Sequence, residues 1–385
     1  MKTIFLHIGL HKTGTTTIQE SLFAEQEELN QNGVLVPAVG QPFTQNAGHH
    51  NLAWELQDSK KFSAKNGTWD DLIYLINEVQ HKRIILSSEE FTRIPVSKIE
   101  QIKIRLEKFQ VKIVVYIRRQ DKILQSYWAE MIKSGRTPKF TTGFIEWLEN
   151  NQYLFSQVDF QSVLKRWSDV FGKDNLILRV LERNQLQVAL FHDFLLTCGV
   201  KDIQKYTLHG DRNISPGMKE LVLIQELKKK LANQLDEPTA IQFYHWIRQY
   251  AGEQGWNTSQ LNLVDRELYN SIMSAYEKSN RIVAREHFGR DILFFEPFQE
   301  KEMTRFEVKD FHSDELLDLF IFLLGKMSKN KFVDGERGVL ERQYQAIEAE
   351  LDAIHASRGW KWLQRLRALR RKVRNLFTPY KNNLY

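Results

Sequence analysis

Short apolar runs alternate with longer amphipathic stretches over the first half of the chain. Ile4 to Ile8 is apolar apart from His7, Ile84 to Leu86 is apolar throughout, and Gln110 to Ile117 is nearly so. Runs this short and continuous read as strands of a parallel sheet buried on both faces. The intervening segments carry a helical period. Ile18 to about Gln31 puts Ile18, Leu22 and Leu29 on one side and is stopped by Asn32-Gly33, after which Val34 to Pro37 is a short extended piece. Helices are also expected from Leu52, over Trp69 to Val79 and Ser97 to Phe109, from about Asp121, and over Phe155 to Val170 and Leu186 to Leu196. The alternation predicts an α/β fold in three layers around a central parallel sheet.

Beyond residue 200 the pattern becomes helical. Met218 to Leu231 and Thr239 to Tyr250 read as helices, the second carrying Phe243, Tyr244, Trp246 and Tyr250 as a stripe that suits core packing or a sugar platform. Phe288 to Phe295 partly echoes Phe171 to Leu178. Residues 1–300 are read as one domain and 301–385 as a helical extension. Val339 to Leu351 has helical spacing. From Ala356 to Tyr385 the chain holds nine arginines or lysines and no acid, with Trp360, Trp362, Leu363, Leu366, Leu369 and Val373 on an apolar side. Such a tail suits an anionic membrane surface, or docking on the domain or a partner.

With 385 residues, 42% of them hydrophobic, the chain can bury a sizeable core. A net charge of +6 suits acidic ligands such as nucleotides. Its concentration in one tail, with no recognition motif beside it, argues against a nucleic-acid binder. The lone Cys198 excludes an intrachain disulfide framework and lies in an apolar run, as a core residue would. No apolar stretch is long enough for a membrane span, and the first strand is too short to be a secretory leader. A cytoplasmic protein, peripheral on the inner membrane through its tail, is the expectation.

Chemistry concentrates after the first strand, in Gly9-Leu10-His11-Lys12-Thr13-Gly14-Thr15-Thr16-Thr17. A strand, a glycine loop and a helix start together make a phosphate cradle. The two glycines permit tight backbone, and the amides from Thr13 to Thr17 converge near the favourable end of the helix dipole. His11 and Lys12 stand beside them, and the lysine adds a mobile positive charge. The lysine precedes the second glycine, so this is not the nucleoside-triphosphate loop in which lysine follows it. The second strand ends at Ser88 and Glu89, at the sheet edge where ligands of parallel sheets sit. Glu89 is thereby expected near the tip of Lys12. The pair His49-His50 ends a polar loop and is open to three readings: solvent-exposed, lining a substrate cleft, or, with no adjacent cysteine or carboxylate cluster to support it, metal-binding.

The loop resembles the 5′-phosphosulfate loop of the sulfotransferases that use 3′-phosphoadenosine-5′-phosphosulfate (PAPS), approximately Lys-x-Gly-Thr-Thr, matched by Lys12 to Thr16. A second feature is similar as well: a strand ending in arginine with a helical serine eight residues later, here Arg118 and Ser126. In that family the two hold the donor's 3′-phosphate. Many members continue Arg-Asp-Pro, whereas Arg118-Arg119-Gln120-Asp121 follows a version frequent in bacterial members, in which Arg119 could share the role. Arg212 and Asn213 are further candidates for the 3′ side, with an ordinary surface loop as the commoner reading, and Phe171 to Leu178 looks like the late strand of the same family. The stretch from Ile354 to Trp360 looks similar to tails of bacterial surface-polysaccharide glycosyltransferases and points to a glycan acceptor.

The resemblance implies a P-loop-like fold and transfer of a sulfuryl group from PAPS to an acceptor hydroxyl, with no metal. Lys12 would neutralise the leaving phosphate. The base would be Glu89, His49 or His50, with Glu89 favoured. The rival readings are a P-loop-like kinase or NTPase, which would bind nucleotide with Mg²⁺, and a non-catalytic nucleotide-binding protein at the membrane. The oligomeric state is not assigned by the sequence.

Overall fold

The computed structural model describes residues 1–42, 48–134, 142–151, 153–209, 216–231, 234–256, 261–300 and 306–329. Arg212, Asn213 and everything from residue 330 onward, the basic tail included, lie outside the described residues. Five strands, β1 (Thr3–His7), β2 (Val34–Leu35), β3 (Arg83–Ser87), β4 (Gln110–Ile117) and β5 (Leu176–Val180), form one all-parallel sheet in the order β2-β3-β1-β4-β5. Strand β1 is central, with Leu6 opposite Leu86 on one side and Ile113 on the other.

Fourteen helices are described: α1 (Thr15–Ala24), α2 (Gln26–Gln31), α3 (His50–Leu56), α4 (Trp69–Glu78), α5 (Val96–Arg105), α6 (Gln120–Lys133), α7 (Phe144–Asn150), α8 (Tyr153–Gln157), α9 (Phe160–Phe171), α10 (Leu190–Thr197), α11 (Met218–Leu231), α12 (Glu237–Glu253), α13 (Arg266–Phe288) and α14 (Ser313–Lys329). Period-two alternation divides the sheet into two faces. Phe5, Ile85, Val114 and Tyr116 pack on α1 and α10 through Ile18, Leu22, Phe191 and Phe194. Ile4, Leu6, Leu86, Ile113 and Val115 join the larger core built from α3 to α6, α9 and the later helices. The three-layer α/β expectation holds, and Cys198 is buried within the first of these clusters.

Two differences from the expected elements have clear causes. The single helix expected over residues 18–31 breaks at Glu25 into α1 and α2, which lets Leu29 reach the same buried cluster as Val34 and Val36. Helix α13, with 23 residues, had no counterpart in the sequence reading. Its buried stripe of Ile272, Tyr276, Asn280, Val283 and Ala284 is narrow and interrupted by a polar residue. That asparagine is paired: Gln120 donates to Asn280 Oδ1 at 2.8 Å, so α13 braces the start of α6. Helix α14 packs on α12, with Phe322 5.3 Å from Tyr250, and completes a helical C-terminal extension.

The chain leaves β1 toward β2 and leaves β4 toward β5, in opposite directions across the sheet. Neighbouring strands with diverging exits open a crevice at their carboxyl ends. The glycine loop and Arg118 stand at that crevice.

Candidate active site

The loop from Gly9 to Gly14 is shaped by three residues with positive φ: Gly9 (46°), Lys12 (67°) and Gly14 (81°). Only Lys12 among these has a side chain, and a non-glycine residue there carries local strain. A Cβ on Gly9 would meet Thr15 Cγ2 at 2.6 Å and the Glu89 Cα at 3.3 Å, so glycine is what lets the loop touch the end of β3. A Cβ on Gly14 would strike Leu190. Thr13 is buried, and its hydroxyl donates to Leu10 O at 2.7 Å. That hydroxyl locks the turn and is not presented to a ligand.

Helix α1 starts with Gly14 as N-cap. No side chain caps it, and no acid occupies its first turn. The first helical bond runs from Ile18 N to Gly14 O, so the amides of Thr15, Thr16 and Thr17 precede the helical ladder. Thr15 is buried, Thr16 exposed and Thr17 half-buried. An anion at this end would find backbone donors and the positive end of the helix dipole together.

Lys12 Nζ lies 2.9 Å from Glu130 Oε2 on α6, and Lys133 Nζ lies 3.0 Å from the same oxygen. The expectation of Glu89 at the lysine's tip is therefore corrected: Glu130 occupies that place. Burial drives the Lys12 ammonium below its ordinary pKa despite this partner. Burial also opposes ionisation of Glu130, but Lys12 and Lys133 outweigh it and hold the carboxyl down to about 2.

Glu89 follows β3 and faces α1. Gln19 donates to its Oε2 at 2.8 Å, and His50 Nδ1 stands 3.9 Å from that oxygen. Burial raises the carboxyl's pKa, yet His50 and the Gln19 hydrogen bond reverse the sign, and the net shift is downward. Gln19 also reaches Ser87 Oγ at 3.3 Å, which in turn lies 2.8 Å from His7 Nδ1. His50 Nδ1 is 2.8 Å from Ser88 Oγ, and its ring stacks on Trp54 at 5.8 Å.

His49 and His50 are buried, which removes the solvent-exposed reading of the pair. His49 Nδ1 accepts from the Ser87 amide at 3.1 Å, which leaves its Nε2 as the donor to Pro37 O at 2.9 Å. Both ring nitrogens are spent on the backbone, and burial lowers the pKa to about 4. His49 is thus a neutral strut between β3 and the loop before α3, with no nitrogen free for a substrate. His11 is different. Its Nε2 is buried with no hydrogen-bond partner among the described residues, and its ring lies 6.0 Å from Tyr127. Burial, helped by the charge of Arg93, lowers its pKa to about 4.

The arginine pair at the end of β4 divides its labour. Arg119 is buried, donates to both carboxylate oxygens of Asp121 at 2.7 and 3.1 Å and to Glu296 O at 2.6 Å, and lies over the Tyr269 ring at 5.1 Å. It is structural, and the shared role considered for it is not supported by this geometry. Arg118 makes no hydrogen bond or ion pair among the described residues, although the charges of Asp121 and Glu296 act on it. Burial lowers the pKa of its guanidinium. Lys122 is half-buried and feels the positive charge of both arginines. On α6, Lys122, Ser126 and Glu130 are spaced four residues apart and form one stripe, with Lys122 feeling the charge of Arg118 at one end and Glu130 meeting the tip of Lys12 at the other.

Gln19, Glu130 and Lys122 are site neighbours that the sequence pattern does not single out. The signals were present: Gln19 is a polar residue beside Ile18 on a buried face, and Glu130 is four residues beyond Ser126. Among the described residues no group of three or more His, Cys, Asp or Glu is placed to hold a metal ion, and no helix is long and apolar enough to cross a membrane.

No family profile matches the chain. It is 22% identical over 228 residues to an uncharacterized protein of Archaeoglobus fulgidus, a match that covers 58% of this chain and 58% of that protein. Among solved structures it is similar to a sulfotransferase from Alicyclobacillus acidocaldarius, with a TM-score of 0.36 and 15% identity over 59% of this chain and 93% of the other. Both likenesses are distant.

Proposed function

We propose that the protein is a PAPS-dependent sulfotransferase acting on a hydroxyl acceptor, which the tail sequence suggests is a glycan. One observation carries the reading: the tip of Lys12 lies at Glu130, one turn along α6 from Ser126 and on the stripe that begins beside Arg118. Ser126, from one half of the sequence resemblance, and the contact point of Lys12, from the other, are thus one turn apart on α6, which supports a single ligand engaging both.

The residues suit such a donor. The uncapped start of α1 and Lys12 would take the 5′-phosphosulfate, and the uncommitted Arg118 with Ser126 would take the 3′-phosphate through charge-assisted contacts. At the reaction centre the acceptor hydroxyl gives its proton to Glu89 as its oxygen bonds to sulfur. The bond from sulfur to the 5′-phosphate oxygen breaks, and that oxygen keeps the electron pair, with Lys12 to neutralise it. Glu89 is favoured as the base because it is ionised at neutrality and able to accept a proton, although its lowered pKa limits its basicity, whereas His49 has no free nitrogen. His50, 3.9 Å from Glu89, steadies that carboxylate.

The test is calorimetric binding of 3′-phosphoadenosine 5′-phosphate without Mg²⁺, followed by labelled sulfate transfer from PAPS to glycan fractions. Metal-independent binding and transfer are expected. Binding that requires Mg²⁺ would replace this reading with the kinase or NTPase one, and binding without transfer to any acceptor would favour the non-catalytic one.

A further inference from the structure

We propose that Glu130 is an exchangeable counter-ion for Lys12: it holds the lysine in place until the donor's phosphosulfate displaces it. The inference rests on the sulfotransferase reading and adds a positioning residue to it.

A carboxylate inside an anion site calls for an explanation, because it repels the ligand the site is built for. Glu130 is such a group, one helical turn from Ser126 and 2.9 Å from the lysine at the centre of the cradle. Its surroundings suit an exchange better than a fixed pair. Two ammonium groups, from Lys12 and Lys133, share the single oxygen Oε2. When Lys12 leaves, Lys133 remains at 3.0 Å, so the carboxylate is neither stranded nor drawn toward the incoming phosphate. Lys133 belongs to the same helix three residues on, so this retaining contact is local and survives movement of the loop. Lys12 sits in the left-handed region at φ 67°, between Gly9 and Gly14. A long flexible side chain on such a loop would sample many directions without a partner, and Glu130 gives it one.

The exchange also has a selective consequence. An anion must outcompete a carboxylate already in contact with Lys12, so small anions such as inorganic phosphate are disfavoured. A ligand that also engages Arg118 and Ser126 can overcome it. Loss of the carboxylate should therefore tighten binding generally and narrow the preference for the full nucleotide.

The experiment uses the full chain and compares wild type, Glu130→Gln, Lys12→Ala and the double variant. Affinities for 3′-phosphoadenosine 5′-phosphate and for inorganic phosphate are measured by calorimetry at fixed ionic strength. Glu130→Gln should tighten the nucleotide by about tenfold, as expected for release of a charge-assisted contact, and phosphate by more than the nucleotide. In the Lys12→Ala background the gain should shrink by at least threefold, because there is no lysine to release. Lys12 acetylation, followed by peptide mass spectrometry, should be faster in Glu130→Gln and suppressed by the nucleotide in both proteins. An equal gain with and without Lys12 would mean that Glu130 is only a static negative charge and would overturn the exchange. So would an unchanged affinity in Glu130→Gln. If that variant fails to fold, Glu130→Asp keeps the charge but draws it back from Lys12, and a smaller gain in the same direction is expected. Wild-type protein that binds no nucleotide would overturn the sulfotransferase reading and the exchange together, whereas normal binding with no Glu130 effect overturns the exchange alone.

Discussion

Gln19 on α1 and Glu89 after β3, seventy residues apart in sequence, meet through a hydrogen bond of 2.8 Å from Nε2 to Oε2. The contact fixes one carboxylate oxygen and favours the ionised form. Substituting Glu89→Gln should leave nucleotide affinity near wild type while single-turnover transfer falls by roughly 10²-fold or more. The pH dependence follows from the direction of the shift. A lowered pKa keeps the base ionised at neutrality, so the acid limb of the rate should lie below the ordinary carboxyl value of 4.5. Gln19→Leu removes a bond that lowers the pKa and should move that limb to higher pH. Full transfer by Glu89→Gln combined with loss in His50→Asn would assign the base to His50 instead.

Arg118 has positive charge and no hydrogen-bonding partner in the described chain, whereas its neighbour Arg119 is fully engaged by Asp121, Glu296 and Tyr269. The two should respond differently to substitution. Arg118→Ala should weaken 3′-phosphoadenosine 5′-phosphate by about 1.5–3 kcal/mol and adenosine 5′-phosphosulfate far less, with little effect on unfolding. Arg119→Ala should instead lower stability, because it strands the buried Asp121. Equal weakening of both ligands by Arg118→Ala would remove it from the 3′ side.

Burial holds His7 and His49 neutral, each with a pKa of about 4, against 6.5 in the unfolded chain. A base depressed in the fold contributes stability that is complete above pH 6.5 and lost as pH falls toward 4. Denaturant unfolding should therefore show a midpoint that declines over this window. Replacing His49 with Asn should reduce the proton uptake on unfolding by about one, and should cost stability at pH 7 through its two backbone bonds. An unchanged pH slope in the variant would show that His49 titrates normally in the folded protein.

The basic tail, outside the described residues, is proposed to bind an anionic membrane surface. Truncation after Leu351 should preserve transfer to a soluble acceptor and reduce sedimentation with anionic vesicles, an effect that salt should mimic. Undiminished vesicle binding by the truncated chain would exclude the tail as the anchor, and a loss of thermal stability would place it on the domain instead.

Local pattern was enough for the sheet and for the loop. Each buried strand is a short apolar run, and Gly9 and Gly14 read as a tight turn before a helix because the backbone requirement is written in nearby residues, whereas the positive φ of Lys12 appears only in the structure. The spacing of Arg118 and Ser126 was equally legible, since strand end and helix turn are consecutive. What each polar group does once there was decided by contacts between distant segments. Adjacent histidines became a backbone strut and a neighbour of Glu89 because the last residue of β3, Ser87, meets one and Ser88, just past the strand, meets the other. Adjacent arginines diverged because Asp121, Glu296 and Tyr269 engage Arg119 directly, whereas Asp121 and Glu296 act on Arg118 only through their charge. Lys12 found Glu130 instead of Glu89 because α6 crosses the loop, a packing fact that no spacing within residues 9–17 contains. Sequence determines which groups are available and how the chain turns locally. Which of them remain uncommitted depends on partners brought from 38 to 177 residues away, and hydrogen bonding in a buried site leaves free only what the fold has not already used.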